Sequence, residues 1–93
     1  GSLQNHFFLK ATGDSMDKSN IKNGDYLLIK RSIQPAMNTI VLALIGNEAT
    51  IKKIKKENNH YILEPNSTNK KHKKIVLFED LMIQGVVQDI IKN

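Results

Sequence analysis

Cysteine is absent from this chain of 93 residues. Its absence excludes disulfides, thiolate nucleophiles and cysteine-ligated metals, and it fits a reducing compartment. Long apolar runs are missing too: none approaches the ~20 residues that a membrane-spanning helix needs. The N-terminus lacks the basic, apolar, small-residue order of a secretory signal. No helix-turn-helix segment is present to enter a major groove, and there is neither an internal repeat nor a low-complexity segment. The Asp-x-[Asp/Asn]-x-[Asp/Asn]-Gly loop pattern is missing as well, so Asp14, Asp17 and Asp25 do not read as a hard-cation site. Gly1-Ser2 reads as a tag-cleavage scar. The expectation is therefore a piece excised from a longer protein, with residues 3–93 as its single domain.

Apolar residues make up 40% of the sequence, enough for one packed interior. A chain this short buries a modest share of its surface and is often helped by a partner subunit. The net charge is +5, from 14 Lys and Arg against 9 Asp and Glu. That balance makes nucleic acid a possible partner. The two lysine clusters, Lys52-Lys53-Lys55-Lys56 and Lys70-Lys71-Lys73-Lys74, lack interleaved aromatics beyond Tyr61, however. They read as solvated surface before they read as a nucleic-acid groove.

The pattern predicts an all-β domain of about seven short strands. HFFLKA, YLLIKR, NTIVLALI, EATIKKIKKE, HYILEP, KIVLFE and LMIQGVVQDII are the candidates. Turn signals separate them at Gly46-Asn47 and Asn58-Asn59, with Pro35 in a linker and Pro65 as a stop. EATIKKIKKE could be helical by its lysines and glutamates. Its β-branched residues and flanking turns favour a strand with Thr50, Lys52 and Ile54 on one face. Gly85 is expected at a bulge, bend or close contact. TGDSMDKSNIKNGD has loop composition, and residues 66–74 read as an exposed loop.

Two serines, Ser15 and Ser19, sit in the first of these loops. Taken alone, each is a loop serine that bonds locally. A nucleophile needs a base, and the three histidines offer little: His6 begins a strand, His60 adjoins a turn and His72 lies among lysines. A lysine serves as a base only when burial or a nearby cation pulls its pKa toward neutrality. Lys52, between Thr50 and Ile54, is the best placed for burial, the alternative being a lysine that snorkels from a half-exposed strand. Nothing local says whether Ser15 and Lys52 meet.

The segments FFLKATGDSM, IKNGDYLLIKR, ATIKKIKK, LEPNS and GVVQDIIK occur in an order and spacing that resemble the LexA/UmuD self-cleaving family. These are Ser-Lys peptidases of S24 type, grouped with the C-terminal domains of phage repressors. The resemblance runs from about His6 to Lys92. It implies a compact, highly twisted β domain, β-clip-like or a partly open barrel. It places the nucleophile on Ser15 and the general base on Lys52 of Thr50-Ile51-Lys52-Lys53-Ile54, which rejects the neighbouring Lys53. The backbone amides of Ser15 and Met16 fall on the oxyanion-stabilising turn. Gly13, Asp14, Gly24, Asp25 and Asn66 fall on positions taken as structural.

The family implies neither metal nor cofactor. It implies a cytoplasmic homodimer joined through C-terminal strands, no contact with membrane, and cleavage triggered by a recombinase filament on single-stranded DNA. Operator DNA would be met only through an N-terminal part absent from this fragment, as in repressors of the SOS response to DNA damage. Alternatives are a UmuD-like accessory subunit of a translesion polymerase and a non-catalytic dimerisation module. The scissile bond of the family is typically Ala-Gly or Cys-Gly, and neither pair occurs here. The site is therefore expected to be intact but idle. Asn38 also stands where the family leads one to expect glycine, and the hydrophobic region around Ile21 is shorter or more polar than in many relatives.

Overall fold

Short apolar segments punctuated by asparagine and glycine pairs fold here as strands. The computed structural model describes residues 4–77 and 82–93. Its strands are β1 (His6–Lys10), β2 (Tyr26–Arg31), β3 (Ile40–Ile45), β4 (Glu48–Glu57), β5 (His60–Glu64), β6 (Ile75–Leu77) and β7 (Met82–Ile91). One turn of 3-10 helix, Asp17–Ser19, interrupts the polar loop between β1 and β2. The strands pair antiparallel in one sheet, in the order β1-β2-β7-β3-β4-β5-β6. The sheet is open, with β1 and β6 at its edges, so the all-β expectation holds. The expected continuations of the last two strands through Phe78, Glu79 and Leu81 lie outside the described residues.

Two tight turns set the registers. Ile45 pairs with Glu48 across Gly46-Asn47, and Gly46 takes a φ of +60°. A positive φ at the first central residue suits the right-handed twist of a two-residue hairpin, and glycine adopts it without strain. Glu57 pairs with His60 across Asn58 and Asn59, whose φ values are +49° and +66°. Asparagine tolerates that left-handed region better than other side chains with a Cβ. The same holds at Asn38, with φ +68° and its N–H bonded to the Ile54 carbonyl at 2.7 Å. The backbone conformation explains why asparagine can stand where glycine is expected.

The continuous apolar run of β3 is buried on both sides. Val41 and Ala43 pack with Ile54, Leu63 and Ile83 in one cluster. Leu42, pointing the other way, packs with Leu27, Ile29, Met16, Ile21 and Ala11. The second cluster is the floor of the polar loop, so Met16 and Ile21 are anchors within a hydrophilic stretch.

Gly85 lies where β2, β7 and β3 cross. A Cβ there would sit 2.5 Å from the Lys30 carbonyl oxygen and 2.5 Å from Ile29 Cγ2. The ladder register slips beside it, between Leu42 and Ala43, and again between Leu28 and Ile29. Close approach and bulging coincide, as the isolated strand glycine suggests.

Candidate active site

The β1–β2 loop is closed at its neck and pinned at its centre. Ala11 N–H donates to the Asp25 carbonyl (2.7 Å) and Gly24 N–H to the Ala11 carbonyl (2.8 Å). Beyond this neck the Met16 carbonyl accepts from both Ser19 N–H (3.0 Å) and Ile21 N–H (3.3 Å), while the Met16 and Ile21 side chains are buried. Ser15 is thereby held at the rim of the apolar floor.

β4 brings Lys52 to the same point. Its side chain is buried, and Nζ lies 3.2 Å from Ser15 Oγ, 2.5 Å from Thr50 Oγ1 and 3.2 Å from the Ile51 carbonyl. Among the described residues no carboxylate pairs with this ammonium. Burial, uncompensated by a counter-charge, lowers the Lys52 pKa from its ordinary value. A lysine with a depressed pKa beside a hydroxyl is a candidate base with a candidate nucleophile. Neither Ser15 N–H nor Met16 N–H donates to an acceptor among the described residues. Lys53, by contrast, pairs across the ladder with Ile40 and Glu64 and lies outside this group.

A cleft of ≈ 270 Å³ opens over the pair. Leu9, Ala11, Ile21, Leu42 and Ile51 give it apolar walls, and Gly13, Asp14, Thr50 and His72 supply polar groups. One wall is an open strand edge. β5 pairs with β4 only from Lys53 to Glu57, so residues 48–52 have β3 on one side and no described strand on the other. Such an edge can accept an extended peptide by main-chain hydrogen bonds.

The polar loop after β5 is laced to the serine loop. Asn66 N–H donates to the Ser15 carbonyl (2.9 Å), and Lys18 N–H donates to the Asn66 carbonyl (2.9 Å). Asn66 Nδ2 reaches Ser19 Oγ at 2.8 Å, and Ser67 Oγ donates to the Asp14 carbonyl at 2.6 Å. The Asp17 carboxylate accepts from Thr68 Oγ1 and N–H. Asp14 takes His72 Nε2 at 2.5 Å and Asn69 Nδ2 at 3.2 Å. His72 first and Asn69 second hold the Asp14 carboxyl below its ordinary pKa. Thr68 does the same for Asp17.

Asp25 lies behind the loop and away from the cleft. Its buried carboxylate accepts from Lys92 Nζ, from Lys22 N–H (2.8 Å) and from Asn93 N–H (3.2 Å). Lys92 foremost, then Lys22 N–H, brings its pKa down to about 2. Gly24 sits in the same turn, and Gly13 N–H donates to Asn23 Oδ1 at 2.9 Å. The carboxylates of the three loop aspartates thus take different principal partners: His72 and Asn69, Thr68, and Lys92. Among the described residues no group of three or more His, Asp or Glu side chains gathers as metal ligands.

Sequence reasoning missed two groups. Thr50 was placed on the Lys52 face, but its hydroxyl contact with Nζ went unread; its signal was the i, i+2 spacing on one strand. His72 was set aside because lysines surround it, and its partner Asp14 is 58 residues away. No local pattern could have paired them.

No helix among the described residues is long and apolar enough to cross a membrane, which says nothing about crossing by strands. The family described as Peptidase S24-like matches residues 2–88. The LexA repressor of Clostridium perfringens is 44% identical over 79 residues, 85% of this chain and 37% of that protein. That of Syntrophomonas wolfei is 41% identical over 61 residues, 66% of this chain and 30% of the repressor. That of Syntrophotalea carbinolica is 31% identical over 88 residues, 95% of this chain and 44% of the repressor. The chain therefore spans less than half the length of these curated relatives. With a family match over nearly its whole length, this chain belongs to the Peptidase S24-like family, as a LexA/UmuD-like domain.

Proposed function

We propose that this domain is a serine peptidase with a Ser15-Lys52 dyad, which cuts an upstream bond of the protein it belongs to. The observation that carries the reading is the 3.2 Å contact between Ser15 Oγ and a buried lysine that has no carboxylate partner among the described residues. As an ammonium, Nζ donates to its three oxygen neighbours. As a neutral amine, it offers a lone pair to the Ser15 O–H, and burial raises the fraction in that state.

The substrate segment lies extended along the open edge of β4, with its scissile carbonyl over Ser15. Ser15 Oγ attacks that carbon while Nζ takes the hydroxyl proton, and the amides of Ser15 and Met16 hold the oxyanion. The Lys52 ammonium then returns the proton to the departing amine, leaving an acyl ester on Ser15. Water adds to the ester with Nζ again taking the proton, and Ser15 recovers it as the new carboxyl end leaves. Thr50 Oγ1 keeps Nζ aimed throughout. No metal or cofactor enters any step.

The likeness to LexA repressors favours a repressor as the parent, acting in the cytoplasm on operator DNA through a separate N-terminal part. Loss of that part by cleavage relieves repression after DNA damage, with a recombinase filament on single-stranded DNA as the trigger. Homodimerisation uses the outer face of β1, β2 and β7, where Phe8, Tyr26 and Ile91 are exposed and Tyr26 pairs with Ile91. The test is incubation at alkaline pH of the chain joined to its upstream segment, followed by intact-mass measurement. Two fragments summing to the parent plus one water are expected, and none from Ser15→Ala. Equal cleavage in the Ser15→Ala protein overturns the reading.

A further inference from the structure

The dyad depends on a loop whose outer side is laced to residues 66–72. That loop is also gripped by the two residues that follow β7. Lys92 Nζ donates to the Asn20 carbonyl at 2.8 Å and to Asn20 Oδ1 at 3.3 Å, and it also contacts the Asp25 carboxylate. Asn93 N–H donates to the other oxygen of Asp25 at 3.2 Å.

These acceptors flank Ile21, whose N–H bonds the Met16 carbonyl and whose side chain packs against Met16 in the floor of the cleft. Asn20 itself takes a φ of +64° and ends the helical turn that follows Met16. One cation thus fixes both ends of the segment that seats Met16, the neighbour of Ser15. The Asp25 end of the grip is buried, whereas the Lys92 side chain is half-exposed and its bonds to Asn20 lie at the surface.

We propose that Lys92 is a positioning residue for Ser15: by holding Asn20 and Asp25 it fixes the nucleophile loop against the floor of the cleft. Ile91, the residue before it, is exposed on the outer sheet face, so the same two residues tie that face to the serine loop. The proposal rests on the Ser15-Lys52 reading for its consequence, but the grip itself is measurable without cleavage.

Two readouts test it on Lys92→Ala and Lys92→Arg, each at a temperature well below its unfolding midpoint. The first is amide hydrogen exchange of the 93-residue chain. Lys92→Ala speeds exchange at Ser19, Asn20 and Ile21 by ~10-fold or more, a local opening that leaves Leu27 and Ile29 of β2 unchanged. The second is self-cleavage of the chain joined to its upstream segment. Small misplacement of a nucleophile is costly, so the alkaline plateau rate falls ~10- to 100-fold while the pH midpoint stays where Lys52 sets it. Lys92→Arg, which restores a cation of similar reach, recovers both.

Unchanged exchange at Ser19, Asn20 and Ile21 overturns the proposal whether or not the protein cleaves itself. So does a parental plateau rate in Lys92→Ala, or a folded Lys92→Arg that restores neither readout. A parent that cleaves nothing, or a Ser15→Ala protein that cleaves as well, sinks the peptidase reading and leaves the exchange result to judge the grip.

Discussion

Replacing Lys52 by methionine probes the property on which its chemistry depends. Methionine is unbranched, of similar length, and suits an irregular apolar site. The substitution removes three Nζ contacts to oxygen, at 3.2, 2.5 and 3.2 Å. Each has a charged donor and is worth about 1.5–3 kcal/mol. It also removes an ammonium that is buried with no carboxylate partner among the described residues, and an ion so placed costs several kcal/mol. The two contributions are of similar size and oppose each other, so Lys52→Met is expected to change stability at neutral pH by no more than about 1–2 kcal/mol, at about 4–8 °C in Tm per kcal/mol for a domain of this size.

The sign with pH is the sharper part. Burial depresses the Lys52 pKa, so the unfolded chain holds that proton more tightly than the folded chain. The penalty is full below the folded value and disappears as pH rises to the ordinary 10.5. The stability of the parent relative to the methionine protein must therefore rise over that window. Urea unfolding of both proteins at a series of pH values measures it. A difference that stays constant from neutrality to pH 10.5 refutes the claim that Lys52 is desolvated in the fold.

Other perturbations address the scaffold. Gly85→Ala forces a Cβ against the Lys30 carbonyl, a backbone atom that cannot swing aside. The expected loss is about 1–3 kcal/mol, read by denaturant midpoint, and a neutral result would mean that the strand crossing relaxes freely. Asp25, with its pKa at about 2, adds stability that is present above its ordinary 3.8 and lost as pH falls through about 2. Asp25→Asn should flatten acid unfolding in that window. An unaltered acid limb would show that another carboxylate governs it.

The strands were legible because β-branched runs end at residues with few conformational choices. Asn58-Asn59 and Gly46-Asn47 mark turns whose backbone needs positive φ, and both hairpins form there. The order of strands in the sheet was not legible. β7 lies between β2 and β3, a long-range pairing in which Gly85 lets the strands approach closely, and no local pattern encodes it. The 3-10 turn at Asp17–Ser19 was hidden within polar loop composition, its only hint being the apolar pair Met16 and Ile21.

The candidate site divides in the same way. Lys52 stood out as an apolar-flanked lysine on a strand, yet its meeting with Ser15 spans 37 residues and could be expected only from family resemblance. Asn66 N–H donates to the Ser15 carbonyl, a long-range contact that no local pattern encodes. Lys92 resembled any surface lysine near a chain end. Its role depends on Asp25, 67 residues earlier, whose burial is a product of the finished fold.

In the proposed mechanism Lys52, its pKa lowered by burial, takes the proton of Ser15. The most direct measurement is the first-order rate of self-cleavage against pH for the chain joined to its upstream segment, beside Lys52→Ala. The parent rate should rise with pH and level off once Lys52 is deprotonated, with the midpoint below the 10.5 of an ordinary lysine. Lys52→Ala should be slower by ~10³-fold or more at the plateau. A Lys52→Ala protein that matches the parent rate and pH profile would contradict the account.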